Sequence, residues 1–133
     1  MEIYNQPADL VVTGNEVTTF PLGIKEAFGL LMNTFGTDRA YYGISWMDES
    51  DHVKYYAMAA ESFPGEGKMH HFESLTIEKG DYVSEAVHNW LQNTDCIKDV
   101  FHRLMGNDKP GKNRPCIEWY QSDEDMLCMI KAL

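Results

Sequence analysis

The feature that most constrains this chain is that it repeats itself. When Ile24 is laid on Ile97 and both stretches run forward without a gap, Ile24-Lys25-Glu26-Ala27-Phe28 falls on Ile97-Lys98-Asp99-Val100-Phe101. In the same register Leu31-Met32 falls on Leu104-Met105, and Ile44 and Trp46 fall on Ile117 and Trp119. The matches sit on one helical face and one strand, a pattern that chance alignment rarely produces. Two copies are too few for a solenoid, which needs about three or more. A fused pseudo-dimer is the remaining reading.

Each copy reads as strand, helix, strand, strand. In the first, the β-branched run Leu10 to Thr13 precedes a helix whose stripe is Ile24, Ala27, Phe28, Leu31, Met32 and Phe35. Pro21 suits the first helical turn and Gly36 the stop. Ala40 to Met47 and Val53 to Ala60 follow as a hairpin turned at Asp48-Glu49-Ser50-Asp51. In the second copy, Phe72 to Ile77 and Asp81 to Val87 flank Lys79-Gly80. A helix is predicted from about Asp95 to Met105, with Asn93 or Thr94 as cap and Gly106 as stop. Cys116 to Tyr120 and Met126 to Ala132 form the last hairpin. The segments Ser62 to Lys68 and Asn107 to Pro115 read as loops, too short to link independent domains. The expected fold class is α+β: duplicated, pseudo-twofold β-α-β-β units with antiparallel sheets, two helices and a central cleft. One domain over residues 1–133 is expected, with repeats at about 8–61 and 70–133. Joining two such units creates a concavity along the pseudo-twofold axis, and concave junctions favour ligands.

Charge narrows the partners. Eleven Lys plus Arg stand against 21 Asp plus Glu, a net charge of −10. Direct contact with nucleic acid or an anionic membrane is disfavoured, whereas a cationic ligand or a basic partner is favoured. No run of 18 apolar residues offers a membrane helix. Met1 to Leu10 carries Glu2 and Asp9 and does not read as a signal peptide. Cys96, Cys116 and Cys128 are odd in number and widely spaced, so reduced thiols in a cytoplasmic protein are expected.

The segment most informative for chemistry is Pro115 to Tyr120. Alternation puts Cys116, Glu118 and Tyr120 on one face and Ile117 and Trp119 on the other. Because Ile44 and Trp46 match the second pair, those positions are expected to form the core under the helices. Glu118 matches Ser45 instead, so the opposite face is the one on which the copies differ. Burying an ionised carboxylate costs several kcal/mol unless it is compensated. A lipophilic cation stacked on aromatic rings would compensate Glu118; so would an exposed strand edge, or a pair with Lys131 or Arg114. Candidate ligand contacts are Glu118, Tyr120, Ser45, Tyr41, Tyr56 and Phe72. Tyr42, Tyr55, Tyr82 and Trp90 are further aromatics that suit either a cleft or ordinary sheet packing. The five histidines form no HxH or HxxxH pair and no CxxC is present, so no metal site is predicted. No GxGxxG, Walker A or GxSxG motif occurs, and no cofactor is expected.

The doubled strand-helix-strand-strand pattern, the Lys79-Gly80-Asp81-Tyr82 turn after Ile77 and the late Ile117-Glu118-Trp119-Tyr120 strand resemble the GyrI-like effector-binding family. That family includes the drug-binding domains of AraC- and MerR-type transcription activators and the DNA gyrase inhibitory protein. The resemblance covers about residues 8–133. It implies an acidic residue, here Glu118, at the base of a hydrophobic pocket with Tyr120 beside it, and a lipophilic, cationic or aromatic ligand. Because no helix-turn-helix segment is present, a stand-alone binding module is implied. The resemblance also allows a hydrolase of reactive lipophilic compounds, with Glu118 and Tyr120 as catalytic candidates. It allows too an acidic interaction protein whose partner is a transcription regulator or gyrase.

Overall fold

The computed structural model describes residues 1–106 and 108–133. In chain order the elements are β1 (Glu2–Gln6), β2 (Leu10–Glu16), α1 (Ile24–Phe35), β3 (Tyr41–Met47), β4 (Val53–Ala60), α2 (Glu66–Met69) and β5 (Glu73–Ile77). They continue with β6 (Gly80–His88), a 3-10 turn at Trp90–Gln92, α3 (Thr94–Met105), β7 (Cys116–Tyr120) and β8 (Asp125–Lys131). The α+β class holds, with antiparallel pairing throughout. The strands form one eight-stranded sheet in the order β1-β6-β8-β7-β3-β4-β2-β5. Sequence reading missed β1 and placed a plain loop where the single turn of α2 lies.

The local chemistry explains the elements. Ile24, Ala27, Phe28, Leu31 and Phe35 of α1 pack on Tyr41, Tyr55, Ala57 and Ala59 of β3 and β4. Met32, expected in that stripe, is 41% exposed. Gly36 closes α1 at φ 85°, a left-handed backbone that a side chain would strain, while its N–H bonds the Met32 carbonyl. Ile97, Val100, Phe101, Leu104 and Met105 of α3 pack on Cys116, Met126, Cys128 and Ile130. Asn93 occupies the N-cap position of α3, but its side chain turns back to donate to the His88 and Asn89 carbonyls. Asp48 holds the β3–β4 turn, accepting the backbone N–H groups of Ser50 and His52, each at 2.9 Å.

The strand order is a palindrome about the β7–β3 pair: β8, β6 and β1 lie on one side, and β4, β2 and β5 lie on the other. The leading strands are exchanged across it, since β1 pairs with β6 and β5 pairs with β2. This exchange forces the sheet to curl. β1 and β2 are six strand positions apart, about 29 Å in a flat sheet at ~4.8 Å per strand. Yet only Pro7 to Asp9 join them, and such a link reaches at most roughly 15 Å. The link from β5 to β6, Glu78-Lys79, is shorter still and spans the same number of positions. The two links meet where the Lys79 N–H donates to Asp9 Oδ1 at 2.8 Å. The result is a half-barrel.

The helices cover the opposite face from the one expected for the matched Ile and Trp positions. Ile44, Trp46, Ile117 and Trp119 lie with Val12, Tyr42, Tyr56, Met58, Ile77, Tyr82 and Met129 in a cluster to which no helix contributes. Their core is made by the sheet curling on itself. The face beneath the helices carries Tyr41, Tyr55 and Ala57, and across the axis Cys116, Cys128 and Tyr120.

Candidate functional site

α1 lies over β4 while α3 lies over β8 and β6, so the central strands β7 and β3 run between the helices. At the middle of that strip Glu118 stands directly opposite Gly43, and its other neighbour in register is Cys128. Ser45 and Cys116 form the next cross-strand pair, and Tyr41 and Tyr120 the one on the other side. Gly43 is needed here. A Cβ at this position would overlap both the Tyr55 hydroxyl and Glu118 Oε1.

Across the space left by Gly43, three polar groups converge. Tyr55 Oη and Tyr120 Oη each donate to Glu118 Oε1 at 2.9 Å, and the two hydroxyls lie 3.1 Å apart. Both phenols thus use one carboxyl oxygen. The other, Oε2, accepts nothing from the described residues. Among the described residues no buried side-chain oxygen or nitrogen lacks a partner, so Oε2 is not wholly sealed from solvent. Glu118 keeps partial exposure for this reason, yet protein atoms crowd the carboxyl closely enough that lost hydration dominates its titration. Burial raises its pKa above the usual carboxylate range, and the two phenol hydrogen bonds offset only part of the rise. Burial, followed by the charge of Glu118, raises the Tyr55 and Tyr120 hydroxyls. They stay protonated and can act only as donors to the carboxylate. Burial pushes the Cys116 thiol up to about 12, and Cys128 is raised for the same reason, so neither is a ready nucleophile.

Aromatic rings cover the three polar groups. Phe20, from the segment between β2 and α1, stacks on Tyr55 with centroids 5.0 Å apart and planes 13° off parallel. Phe28 of α1 and Trp90 of the 3-10 turn meet Tyr120 edge-on at 5.2 Å and 5.0 Å. The strip between the helices therefore carries one carboxylate, a pair of phenols that orient it, and rings contributed from both halves of the chain. A cavity of about 330 Å³ lies on the other face of the sheet, away from Glu118. What marks the Glu118 site is chemistry, not an open void.

The sequence-predicted residues are distributed as follows. Glu118 and Tyr120 meet directly, and Ser45 shares their face one cross-strand pair away. Tyr41 borders the site beside Tyr120, but its hydroxyl is bound to the Gly36 carbonyl at the end of α1. Tyr56 lies on the opposite face, stacked on Trp46 at 5.1 Å. Phe72 lies at the far end of α1 against Phe35 and His70. Glu118 pairs with neither Lys131 nor Arg114; Lys131 binds Glu78, and Arg114 binds Asp108. Tyr55 was one aromatic among many in the sequence. Its place opposite Ser45 in the β3–β4 register puts it on the Glu118 face. Phe20 carried no periodic signal at all. Among the described residues, no group of three or more His, Cys, Asp or Glu is placed to hold a metal ion.

No protein-family model matches the chain, and no curated protein matches it. Solved structures do. VCH_CASS2, an integron cassette protein from the mobile metagenome of Vibrio cholerae, is similar over 98% of this chain and 94% of its own, with TM-score 0.63 and 17% identity. SAV2435, solved bound to tetraphenylphosphonium, is similar over 99% of this chain and 95% of its own, with TM-score 0.61 and 13% identity. A protein from Staphylococcus aureus MU50 assigned provisionally to transcription regulation is similar over 99% of both chains, with TM-score 0.55 and 14% identity. At these identities the likeness is one of fold.

Proposed function

We propose that this chain is a small-molecule binding protein that takes lipophilic, cationic or aromatic compounds into the cleft between α1 and α3, with Glu118 as counter-ion. The carrying observation is the arrangement of the carboxyl: Oε1 is held by Tyr55 and Tyr120, while Oε2 has no donor among the described residues. A carboxylate kept so poorly hydrated gains most from a cation that also stacks on the surrounding rings. The tetraphenylphosphonium bound to SAV2435, a protein of similar fold, is a compound of this class. The chain is read as one domain of two fused copies, about residues 8–61 and 70–133, related to the GyrI-like effector-binding domains. The palindromic strand order supports the duplication. A cytoplasmic setting fits three free thiols, two of them buried, and among the described residues no helix is long and apolar enough to cross a membrane.

The test is thermal unfolding of wild type and Glu118→Gln with tetraphenylphosphonium. A ligand specific to the folded state raises stability by RT ln(1 + [L]/Kd), about 2.7 kcal/mol at 100 times Kd. The wild type should gain stability with rising concentration, and the variant much less. A neutral triphenyl compound should distinguish the two proteins little. An equal response of both proteins to the cation would exclude Glu118 as counter-ion. No response from either would exclude the cleft as a site for this class.

A further inference from the structure

The half-barrel interior holds a cavity of about 330 Å³ on the face away from the helices. It lies within the range of small-molecule sites, ~300–1000 Å³, at the small end. Its floor is apolar: Ile44, Trp46, Ile77 and Ile117, with the ring of Tyr82 at the side. Its rim is charged and of both signs: Asp9, Glu78, Lys112 and Lys131. Two of these neutralise each other, since Lys131 Nζ lies 2.8 Å from Glu78 Oε1. The other two do not. Asp9 receives only the Lys79 N–H, and neither Asp9 nor Lys112 has an ion-pair partner among the described residues.

We propose that this cavity is a second ligand site, independent of Glu118, for an α-amino acid with a large apolar side chain. One unpaired carboxylate and one unpaired ammonium on the rim of an apolar pocket complement a zwitterion with an apolar tail. The ligand's carboxylate meets Lys112, its ammonium meets Asp9, and its side chain lies on Trp46 and the isoleucines. Selectivity follows from the charges. A ligand carrying only one of them makes only one of the two charge-assisted contacts and binds correspondingly more weakly.

Trp46 lines the site, so its indole N–H resonance in ¹⁵N-labelled protein, assigned with Trp46→Phe, reports occupancy. The probes are L-phenylalanine, phenethylamine and 3-phenylpropionate. Phenylalanine is expected to move the Trp46 resonance saturably at millimolar concentration and to bind at least about tenfold more tightly than either analogue. Lys112→Ala and Asp9→Asn, both exposed positions, should each weaken phenylalanine about tenfold. Asparagine keeps the acceptor for the Lys79 N–H, so the fold is preserved. Excess tetraphenylphosphonium should leave the phenylalanine isotherm unchanged. No saturable shift, or equal binding of the one-charge analogues, would overturn the proposal. Displacement by tetraphenylphosphonium would put the amino acid in the Glu118 cleft and overturn it as well.

Discussion

The two faces of the β3–β7 pair share one backbone and one register but were put to opposite uses. On the face toward the half-barrel interior, Tyr42, Ile44, Trp46 and Ile117 are buried and no ionisable acid intervenes. On the face toward the helices the same strands present Gly43, Ser45, Cys116 and Glu118. The first face is filled with large side chains and stabilises the fold. The second is hollowed by a glycine, a serine and a cysteine, and carries a carboxyl that burial pushes toward neutrality. Folding stability alone would not select the second arrangement, because a well-packed apolar residue would serve the sheet better than a desolvated acid. A face that gives up stability at one defined point is where binding is expected.

Substitutions can break this contrast in graded steps. The largest effect is expected from Met58→Ala on the interior face, where Met58 is fully buried; urea unfolding should show a loss of about 2–5 kcal/mol. Tetraphenylphosphonium binding by the remaining folded protein should be little changed. Gly43→Ala should cost about 1–3 kcal/mol through overpacking, and here binding should fall too, because the new methyl displaces Tyr55 or Glu118. If Gly43→Ala proved neutral in both measurements, the close approach across β3 would not matter. Tyr55→Phe removes one donor to Oε1 and should cost roughly 1 kcal/mol. It should also raise the Glu118 pKa further, detectable by following the carboxyl carbon by NMR.

The smallest effect is one of slope. Glu118 has a folded-state pKa above that of the unfolded chain, so the unfolded chain releases this proton first as pH rises. Below the unfolded value both states are protonated and the group contributes nothing. Between the two values stability falls with rising pH. Glu118→Gln should therefore gain on the wild type across that window, and a parallel pH dependence of the two proteins would contradict the raised pKa. Cation binding should run the other way, tightening as pH rises toward the folded-state value and releasing a proton that calorimetry in two buffers can count.

Much of this was legible in the chain because its signals are local. The stripe from Ile24 to Phe35 and the Gly36 stop located α1, and Asp48 marked the β3–β4 turn. Alternation alone put Glu118, Tyr120 and Cys116 together, and the repeat put Ser45 with them. β1 was missed because Glu2-Ile3-Tyr4-Asn5-Gln6 is a short, half-polar run at the chain end, and its pairing with β6 is a long-range event. Tyr56 entered the candidate list and Tyr55 did not. Adjacent tyrosines in a strand point to opposite faces, and nothing local says which face matters.

The sequence by itself determined which residues share a face, where the chain turns, and that the two halves follow one plan, since these depend on side-chain alternation, helical period and backbone preference. Only the tertiary structure decided which face the helices cover and that Ile44, Trp46, Ile117 and Trp119 are buried by the sheet's own curl. It alone decided that Tyr55 reaches Glu118 across Gly43. The physical reason is that a period of two separates the faces of a strand but treats them as equivalent. The choice between them is made by the exchanged strands β1 and β5, whose short links bend the sheet one way.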